Sequence, residues 1–276
     1  MTTFHFLNIG QGNMAIGIFP DGKILAYDCN ITTENETVVF AYLAKIMPQN
    51  SIDVFVNSHR DADHMRGIKK LHAKYPITSL FDSGVTGTTP TTSEYTEYME
   101  FRRNLGLVNV HEVTSNQYWT AHTGVKIING KRDGLDDPNS QSIVLHIDYN
   151  GSSLLLAGDT SASTWRDYII PELGSAVKSL VLFASHHGSF SFFNEDRDND
   201  EDYTDHIASI NPAIAIISVS DTNPHGHPDD EAIIHYENHS YGTVETGQKI
   251  FRTDQHGNIK IDLFGQGTGR VYWNQI

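Results

Sequence analysis

One short polar segment contains four side chains that can ligate a metal ion. It reads His59-Arg60-Asp61-Ala62-Asp63-His64, so the potential ligands follow the spacing His-x-Asp-x-Asp-His. Imidazole nitrogens and carboxylate oxygens suit Zn²⁺, Mn²⁺ or Fe²⁺. Four ligands within six residues cannot all reach one small cation comfortably. We therefore expect His59 and Asp61 to face one ion, and Asp63 and His64 to face another.

Further metal-ligating side chains follow segments that are rich in β-forming residues. Taken one at a time, they have ordinary structural interpretations: Asp63 can cap the helix that follows it, and a Gly-Asp turn or a His-His pair is common surface polarity. Their joint occurrence favours a shared site, in which Asp159 is the carboxylate that bridges two ions. These further positions are Asp28, Asp159, His186, His187, His225 and His227.

The expected secondary structure brings these side chains to one edge of a sheet. The run Ile52–Asn57 predicts a strand that leads directly into the polar segment, and a helical pattern resumes at Met65–Lys74. Strands at Leu180–Ala184 and Ala213–Ser218 end near the later histidines. Ligands in open α/β sheets bind beyond the carboxyl ends of the strands, so we expect the clusters to meet there.

The rest of the chain predicts further strands and helices. A helix is expected over Glu34–Ile46, with Val38, Ala41, Tyr42 and Ile46 on its apolar face. A final strand pair is expected from Ile250–Thr253 and Ile259–Leu263. The other expected elements are strands at Phe4–Leu7, Met14–Phe19, Ile24–Tyr27, Ser142–Ile147 and Leu154–Ala157, and helices at Glu94–Leu105 and Ser161–Leu173.

The composition excludes several classes of protein. A single cysteine, Cys29, rules out a disulfide scaffold and a cysteine-rich zinc site. The formal net charge of −15 opposes tight general binding to nucleic-acid backbones or to anionic membranes. The sequence shows neither a signal-peptide pattern nor an apolar run long enough for a membrane span. We therefore expect a cytoplasmic protein that has no membrane partner.

A chain of 276 residues fits a single domain over 1–276. Two segments stand apart from it: a variable insertion at about 84–122 and an acidic loop at about 189–205. Within the loop, Glu195–Asp205 holds seven acidic residues against Arg197 alone. A solvated loop is the ordinary interpretation of such a run, and a docking site for a basic protein partner is the alternative.

A series of short motifs covers nearly the whole chain, apart from residues 84–122 and the acidic loop. The motifs are Phe6-Leu7-Asn8-Ile9-Gly10-Gln11-Gly12-Asn13, Pro20-Asp21-Gly22-Lys23, Asp28, His59-Arg60-Asp61-Ala62-Asp63-His64, Asn139-Ser140-Gln141-Ser142-Ile143-Val144-Leu145, Gly158-Asp159, His186-His187-Gly188-Ser189, Gly226-His227-Pro228 and Arg252-Thr253-Asp254. The series resembles the metallo-β-lactamase fold superfamily, and within it the soluble hydrolase-like domain of the ComEC competence proteins. The resemblance implies an α/β fold, a four-layer αββα sandwich with its metal site at one edge of the sheets.

The resemblance also implies one or two bound ions, Zn²⁺ or Mn²⁺. Asp61 stands where the wider superfamily has histidine. The superfamily's third histidine is absent, and Asn139 or Ser142 falls near its place. The first ion is therefore short of ligands. The ligands implied are His59 and Asp61 for the first ion, Asp63, His64 and His227 for the second, and Asp159 between them.

The catalytic roles implied by the resemblance fall on four residues. Asp28 would orient a histidine or the nucleophile from behind the metal ligands. Asp63 would orient the attacking hydroxide or accept its proton, and His186 or His187 would lie near the leaving group. One departure is Asn13, which replaces the acidic residue expected after Gly-Gln-Gly.

The expected activity is hydrolysis of a phosphodiester of nucleic acid or a nucleotide through a metal-bound hydroxide. The acidic charge favours a small phosphodiester, a nucleotide or single-stranded nucleic acid over a long duplex. Arg60, Arg66, Lys69 and Lys70 lie beside the metal motif, and a solvated helix face explains them as well as phosphate contact does. Two alternatives stay open: hydrolysis of an ester, lactone or thioester, and a metal-stabilised binding or regulatory module with little turnover.

Overall fold

The computed structural model describes residues 1–47, 49, 51–113, 117–118, 124–133, 135, 137–197 and 201–273. Short strands and helices alternate through these residues. In chain order the elements are β1 (Thr2–Phe6), β2 (Ala15–Ile18), β3 (Ile24–Tyr27), β4 (Cys29–Asn30), α1 (Glu36–Ile46), β5 (Ile52–Val56), α2 (Ala62–Met65), α3 (Ile68–Lys74), β6 (Ile77–Asp82), α4 (Ser93–Leu105), β7 (Val110–Glu112), β8 (Gln117–Tyr118), β9 (Val125–Asn129), β10 (Val144–Tyr149), β11 (Ser152–Leu156), α5 (Ala162–Thr164), a π-helical turn (Trp165–Ile169), α6 (Ile170–Leu173), β12 (Val181–Phe183), α7 (Asp205–Ile210), β13 (Ile214–Ile217), α8 (Asp230–His239), β14 (Ile250–Arg252), α9 (Thr253–His256), β15 (Ile259–Gly265) and β16 (Thr268–Trp273).

Nearly all of these strands belong to two mixed sheets. The first has the strand order β16-β15-β1-β2-β3-β5-β6-β7, and the second has the order β14-β13-β12-β11-β10-β9-β8. In the first sheet β3, β5, β6 and β7 run parallel. In the second sheet β11, β12, β13 and β14 run parallel. The carboxyl ends of the parallel strands therefore share one edge within each sheet.

Alternation along each strand divides its side chains between two layers of packing. On β1, Phe4 and Phe6 enter the core between the two sheets, whereas His5 points to the opposite face and contacts Tyr42 of α1, with Nδ1 2.8 Å from the hydroxyl oxygen. On β12, Phe183 meets Phe6 across the core with ring centroids 4.8 Å apart. Each aromatic ring buried in this way contributes about 1.5–3 kcal/mol.

Two further apolar clusters cover the outer faces of the sheets. One lies beneath α1, α3 and α4 on the first sheet, and the other lies beneath the helical segment from α5 to α6, α7 and α8 on the second. Helices, sheet, sheet and helices thus form four layers. This arrangement confirms the predicted α/β class and is that of the αββα metallo-β-lactamase sandwich.

Two expectations about packing were wrong. In α1, Val38 and Ala41 are exposed, and the buried face consists of Val39, Phe40, Tyr42 and Leu43. The predicted final strand pair does not form, because β14 joins the second sheet while β15 pairs with β1 and β16 in the first. Both errors concern long-range packing, which local periodicity does not determine.

The single domain over 1–276 and the insertion at about 84–122 stay predictions. Part of that insertion lies outside the described residues; the described part contains α4 and β7. None of the helices in the described ranges combines the length and apolar character needed to cross a bilayer.

Candidate metal centre

The predicted ligands lie beyond the carboxyl ends of parallel strands from both sheets. Asp28 follows β3, and the segment from His59 to His64 follows β5. Asp159 and the pair His186-His187 follow β11 and β12 of the second sheet. The edges of the two sheets meet at these loops, since Asp159 approaches histidines of the first-sheet loop to within 4 Å.

Four side chains converge on one position, and we call them the Asp63 group: Asp63, His64, Asp159 and His187. His64 Nε2 lies 3.3 Å from Asp159 Oδ2 and 3.8 Å from Asp63 Oδ2. His187 Nε2 lies 3.3 Å from the same Asp63 oxygen and 3.9 Å from the same Asp159 oxygen. The ligand atoms of Asp63, His64 and His187 all lie within 4.8 Å of one another, and Asp159 Oδ2 lies within 4 Å of both imidazoles. Imidazole nitrogens and carboxylate oxygens of this kind are ligands of divalent cations.

A second set, the His59 group, consists of His59, Asp61 and the shared Asp159. His59 Nε2 lies 3.7 Å from Asp61 Oδ2 and 3.8 Å from Asp159 Oδ2. His59, His64 and Asp159 also satisfy the geometry of a three-ligand cluster. Ser142 Oγ accepts a hydrogen bond from the Asp159 backbone N–H at 3.2 Å, so Ser142 helps to hold the segment that carries the Asp159 carboxylate.

Several polar atoms that face the Asp63 group lack a hydrogen bond among the described residues, although carboxylate oxygens lie 3.3 Å from the two ring nitrogens. His64 Nε2, His187 Nε2 and Asp159 Oδ1 are fully buried and lack a hydrogen bond among the described residues. A buried polar atom left in this condition costs about 1–3 kcal/mol. A divalent cation would satisfy the ring nitrogens and the carboxylates together, so these residues fit the metal that the fold implies.

Hydrogen bonds behind the ligands fix which ring nitrogen faces the centre. His187 Nδ1 lies 2.9 Å from the carbonyl oxygen of Ser218, to which it donates, leaving Nε2 as the acceptor. His64 Nδ1 lies 2.9 Å from Asp28 Oδ2 and donates to that carboxylate in the same way. Asp28 thus contacts His64 on the side of the ring away from the centre, and its role as a supporting residue stays a prediction.

Ser58 is a supporting residue that the sequence analysis missed. Its backbone N–H and its hydroxyl donate to the two carboxylate oxygens of Asp28 at 2.6 and 2.8 Å. Because the hydroxyl proton is used there, Ser58 Oγ accepts from His59 Nδ1 at 3.0 Å. The available signal was a hydroxyl residue directly between the strand and the first histidine of the motif.

The centre is electrostatically suited to positive charge. Burial favours the neutral form of His64, but the carboxylates of Asp159 and Asp63 outweigh it and raise its pKa well above the ordinary value. Burial would raise the pKa of Asp159, but His64 and His186 hold it well below the ordinary value. A cation among these carboxylates would be stabilised by the same field.

His186 and His187 lie on a strained turn that separates their roles. Both adopt the left-handed conformation, with φ values of +48° and +54°. Consecutive left-handed residues other than glycine are unfavourable, and such strain concentrates at functional sites. The turn buries His187 within the Asp63 group. It leaves the His186 side chain 29% exposed, with Nε2 3.7 Å from Asp159 Oδ2.

His227 lies beside the centre but in neither group. Its ring centroid is 5.6 Å from that of His186, and its Nδ1 is 3.6 Å from Asp229 Oδ2. Burial and the neighbouring His186 lower the pKa of His227 to about 4. His187 lies in the Asp63 group, where the sequence analysis expected His227, so a metal role for His227 stays a prediction.

The basic residues next to the motif are already paired with carboxylates. Arg60 is buried and donates to Asp82 Oδ2 from Nε and Nη2 at 3.2 and 3.0 Å. Arg66 pairs with Glu94 at 3.1 Å. The same holds on the helix surface for Lys69 with Glu100 and for Lys70 with Glu36. These four cations therefore form ion pairs within the protein.

The acidic loop is attached to the second sheet's helical layer where it is described. Arg197 pairs with Asp229 at 2.6 Å, and Asp202 lies 2.8 Å from His235. Residues 198–200 lie outside the described ranges. A basic partner at this loop stays a prediction.

Comparison with known proteins supports the fold. No family model matches the chain, and no curated protein matches its sequence. The solved structures that it resembles include CmlA, a diiron β-hydroxylase from Streptomyces venezuelae, with a TM-score of 0.56 and 13% identity. The match covers 95% of this chain and 54% of CmlA, so this chain spans about half the length of that protein.

Two further similar structures are matched over their full length or nearly so. Zn²⁺-bound PqqB from Methylobacterium extorquens has a TM-score of 0.54 and 11% identity, with 95% of this chain and all 100% of PqqB covered. Igni18, a metallo hydrolase from the archaeon Ignicoccus hospitalis, has a TM-score of 0.51 and 12% identity, with 98% of each chain covered. At such identities the likeness establishes a shared fold.

Proposed function

We propose that this protein is a metal-dependent hydrolase that cleaves phosphodiester bonds. The observation that carries the proposal is the Asp63 group, in which His64 Nε2 and His187 Nε2 are buried, lack partners and face two carboxylates. A structural histidine normally has a hydrogen bond at both ring nitrogens, or lies in apolar surroundings. In a typical metal-binding histidine, one ring nitrogen donates a hydrogen bond to a protein acceptor, and the other nitrogen faces the metal without a hydrogen bond.

Asp63, His64, Asp159 and His187 would hold the ion, and Asp28 and the Ser218 carbonyl would keep the imidazoles oriented. A divalent cation bound there supplies Lewis acidity, which polarises the scissile group and lowers the pKa of a bound water. Asp63, with a side chain one-third exposed, is placed to orient the attacking water or to accept its proton at a carboxylate oxygen. His186 is the imidazole on the open side, where its Nε2 can donate a proton to the leaving oxygen.

The motif series that resembles the ComEC hydrolase-like domain supports a phosphodiester as the substrate class. The charge limits its size: the net charge is −15, and the four basic residues beside the motif are paired with carboxylates. A long duplex needs many unpaired cations along its path. A nucleotide, a small phosphodiester or a short single strand needs few, so these are the proposed substrates.

The test compares turnover of bis(p-nitrophenyl) phosphate, p-nitrophenyl butyrate, a short single-stranded oligonucleotide and a long duplex, with Mn²⁺ or Zn²⁺ added. Turnover of the phosphodiesters that Asp63→Asn abolishes is expected. Asp202→Asn is the control, because that carboxylate pairs with His235 outside the centre. Turnover of the acyl ester alone would change the proposed substrate class from a phosphodiester to an ester, lactone or thioester. Metal binding without turnover of any of these substrates would overturn the proposed hydrolase function.

A further inference from the structure

Asp61 stands within the metal motif, but its carboxylate is engaged by another segment. Its Oδ1 accepts a hydrogen bond from the Thr88 backbone N–H at 2.6 Å, and its Oδ2 accepts one from the Thr88 hydroxyl at 2.5 Å. Hydrogen bonds to an ionised carboxylate are about twice as strong as those between neutral groups. The nearest imidazole nitrogen, His59 Nε2, is 3.7 Å away.

The segment 83–92, between β6 and α4, is held against the motif at two further places. At its base, Asp82 accepts hydrogen bonds from Arg60 and Tyr98 and also from the backbone N–H of Gly84 at 3.0 Å. In its middle, Gly87 packs so closely that a Cβ built there would lie 2.0 Å from the Arg60 carbonyl oxygen. Arg60 and Asp61 thus both bind the segment that follows β6.

The two halves of the motif therefore differ in what they offer a cation. Asp159 and His64 lie within reach of both positions. Asp63 and His187 complete the first ligand set, whereas His59 and Asp61 complete the second, and Asp61 is shared with Thr88. The two hydrogen bonds from Thr88 use a lone pair on each Asp61 oxygen, which leaves fewer lone pairs for a cation.

We propose that Asp61 is a positioning residue: through Thr88 it fastens segment 83–92 as a wall beside the metal centre. One metal ion is then held firmly, in the Asp63 group. Because Thr88 contacts Asp61, whose Oδ2 lies 3.7 Å from His59 Nε2, this wall lies on the His59 side of the centre. A role of the wall in binding substrate rests on the proposed hydrolase function, but the fastening and the metal count do not.

The test measures metal content and backbone hydrogen exchange on purified protein loaded with Zn²⁺ and freed of excess metal. The variants are Asp61→Asn, Thr88→Val, Thr88→Ser and Asp63→Asn. We expect Asp61→Asn and Thr88→Val to retain one ion per chain and to speed exchange in residues 84–89 by about tenfold or more, the effect of losing a charge-assisted hydrogen bond. Thr88→Ser keeps the hydroxyl donor and should restore slow exchange. Asp63→Asn should lose the ion.

A further variant crowds the wall while keeping both the Asp61 carboxylate and the Thr88 donors. Gly87→Ala adds a Cβ that would lie 2.0 Å from the Arg60 carbonyl oxygen and 2.5 Å from Asp61 Oδ1, so it should speed the same exchange and leave the metal content unchanged. If the hydrolase is active, Thr88→Val should raise KM more than it lowers kcat, because the wall contacts substrate and not the reacting atoms.

Two results would overturn the proposal. In the first, the wild type retains two ions, which contradicts the single firmly held ion; if Asp61→Asn then loses one while Thr88→Val keeps both, Asp61 is a metal ligand. In the second, exchange in residues 84–89 is unchanged in both Asp61→Asn and Thr88→Val. Neither readout needs a substrate, so inactivity toward every substrate would overturn the proposed function and leave this inference standing.

Discussion

Two clusters of buried histidines lie on this fold, and they have opposite chemical surroundings. In the metal centre, His64 and His187 each lie within 4 Å of two carboxylates. Behind the second sheet, His206 is fully buried among aromatic rings. Its ring centroid is 4.2 Å from that of Phe192 and 5.0 Å from that of Tyr203, against which it stacks. Within the described ranges, His206 makes no ion pair.

The surroundings shift the pKa of the buried histidines in opposite directions in the two clusters. Carboxylates raise the pKa of His64 and of His187 against the effect of burial. Burial, assisted by His239, lowers the pKa of His206 to about 3. Fifteen histidines in the sequence therefore say little by themselves. Buried imidazoles that share their surroundings with carboxylates can ligate a cation, whereas those surrounded by rings act as aromatic core residues.

The largest expected effect is the loss of metal from the first cluster alone. The double variant Asp63→Ala/His64→Ala removes one imidazole and one carboxylate of four converging ligands, so metal content should fall from about one ion per chain to near zero. Elemental analysis of purified protein measures it. The matched control, His206→Leu/His235→Gln, changes two histidines of the aromatic cluster, since both rings contact Phe193, with centroids 5.4 and 4.5 Å away. Loss of metal in that control as well would abolish the distinction between the clusters.

A supporting carboxylate should give the next largest effect. Asp28→Asn keeps the shape of the side chain but removes the charge that holds His64 Nδ1 at 2.9 Å. Changes of this kind weaken metal affinity by about 10- to 100-fold. Competition with a chelator of known affinity measures the change. An unaltered affinity would mean that His64 is not a ligand, or that Ser58 alone suffices to orient its ring.

In the aromatic cluster the expected effect is on stability against acid. The pKa of His206 is 6.5 in the unfolded chain and about 3 in the folded protein. Because the unfolded chain takes up the proton first, the contribution of neutral His206 to the free energy of unfolding is complete above pH 6.5. That contribution is lost as the pH falls toward 3. Between pH 6.5 and pH 5 the loss is about 2 kcal/mol. His206→Leu removes this titration.

Urea unfolding of wild type and His206→Leu at several pH values tests this, with metal in excess throughout. Repacking changes the absolute stability of the variant, so the quantity compared is the slope of unfolding free energy against pH. The slope should be flatter for His206→Leu between pH 6.5 and pH 5. Equal slopes would show that His206 is solvated or partnered in solution.

The contrast between the clusters also explains what the sequence could predict. The polar segment after β5 and the Asp and His residues after β3, β11 and β12 were assigned to one site because parallel strands end at a common edge, which is a local pattern combined with a general rule. No local sequence pattern indicated which of His186 and His187 faces the metal centre. It depends on two consecutive left-handed residues and on the Ser218 carbonyl, 31 residues away along the chain.

The remaining errors have the same origin. Helical spacing placed Val38 and Ala41 on the buried face of α1, but the sheet beneath determines which face is covered. Thr88 could not be linked to Asp61 because their contact joins segments 27 residues apart. Spacing predicts which residue types gather at an edge, and the long-range packing of loops decides which atoms face the centre.

The smallest expected effect isolates burial as the cause of the difference between the clusters. Asp202 and His235, at the border of the aromatic cluster, are 2.8 Å apart, nearly the same distance as Asp28 and His64. The side chains of Asp202 and His235 are 34% and 18% exposed, whereas those of Asp28 and His64 are fully buried. Partly solvated pairs contribute about 0.2–1 kcal/mol, and removing one partner of a buried pair costs about 3–5 kcal/mol.

Asp202→Asn should therefore lower the free energy of unfolding by about 0.5 kcal/mol, and Asp28→Asn should lower it by several times more. Urea titrations of the metal-free protein at one pH measure both changes. Similar losses in the two variants would show that pair geometry, and not burial, sets the strength of these contacts.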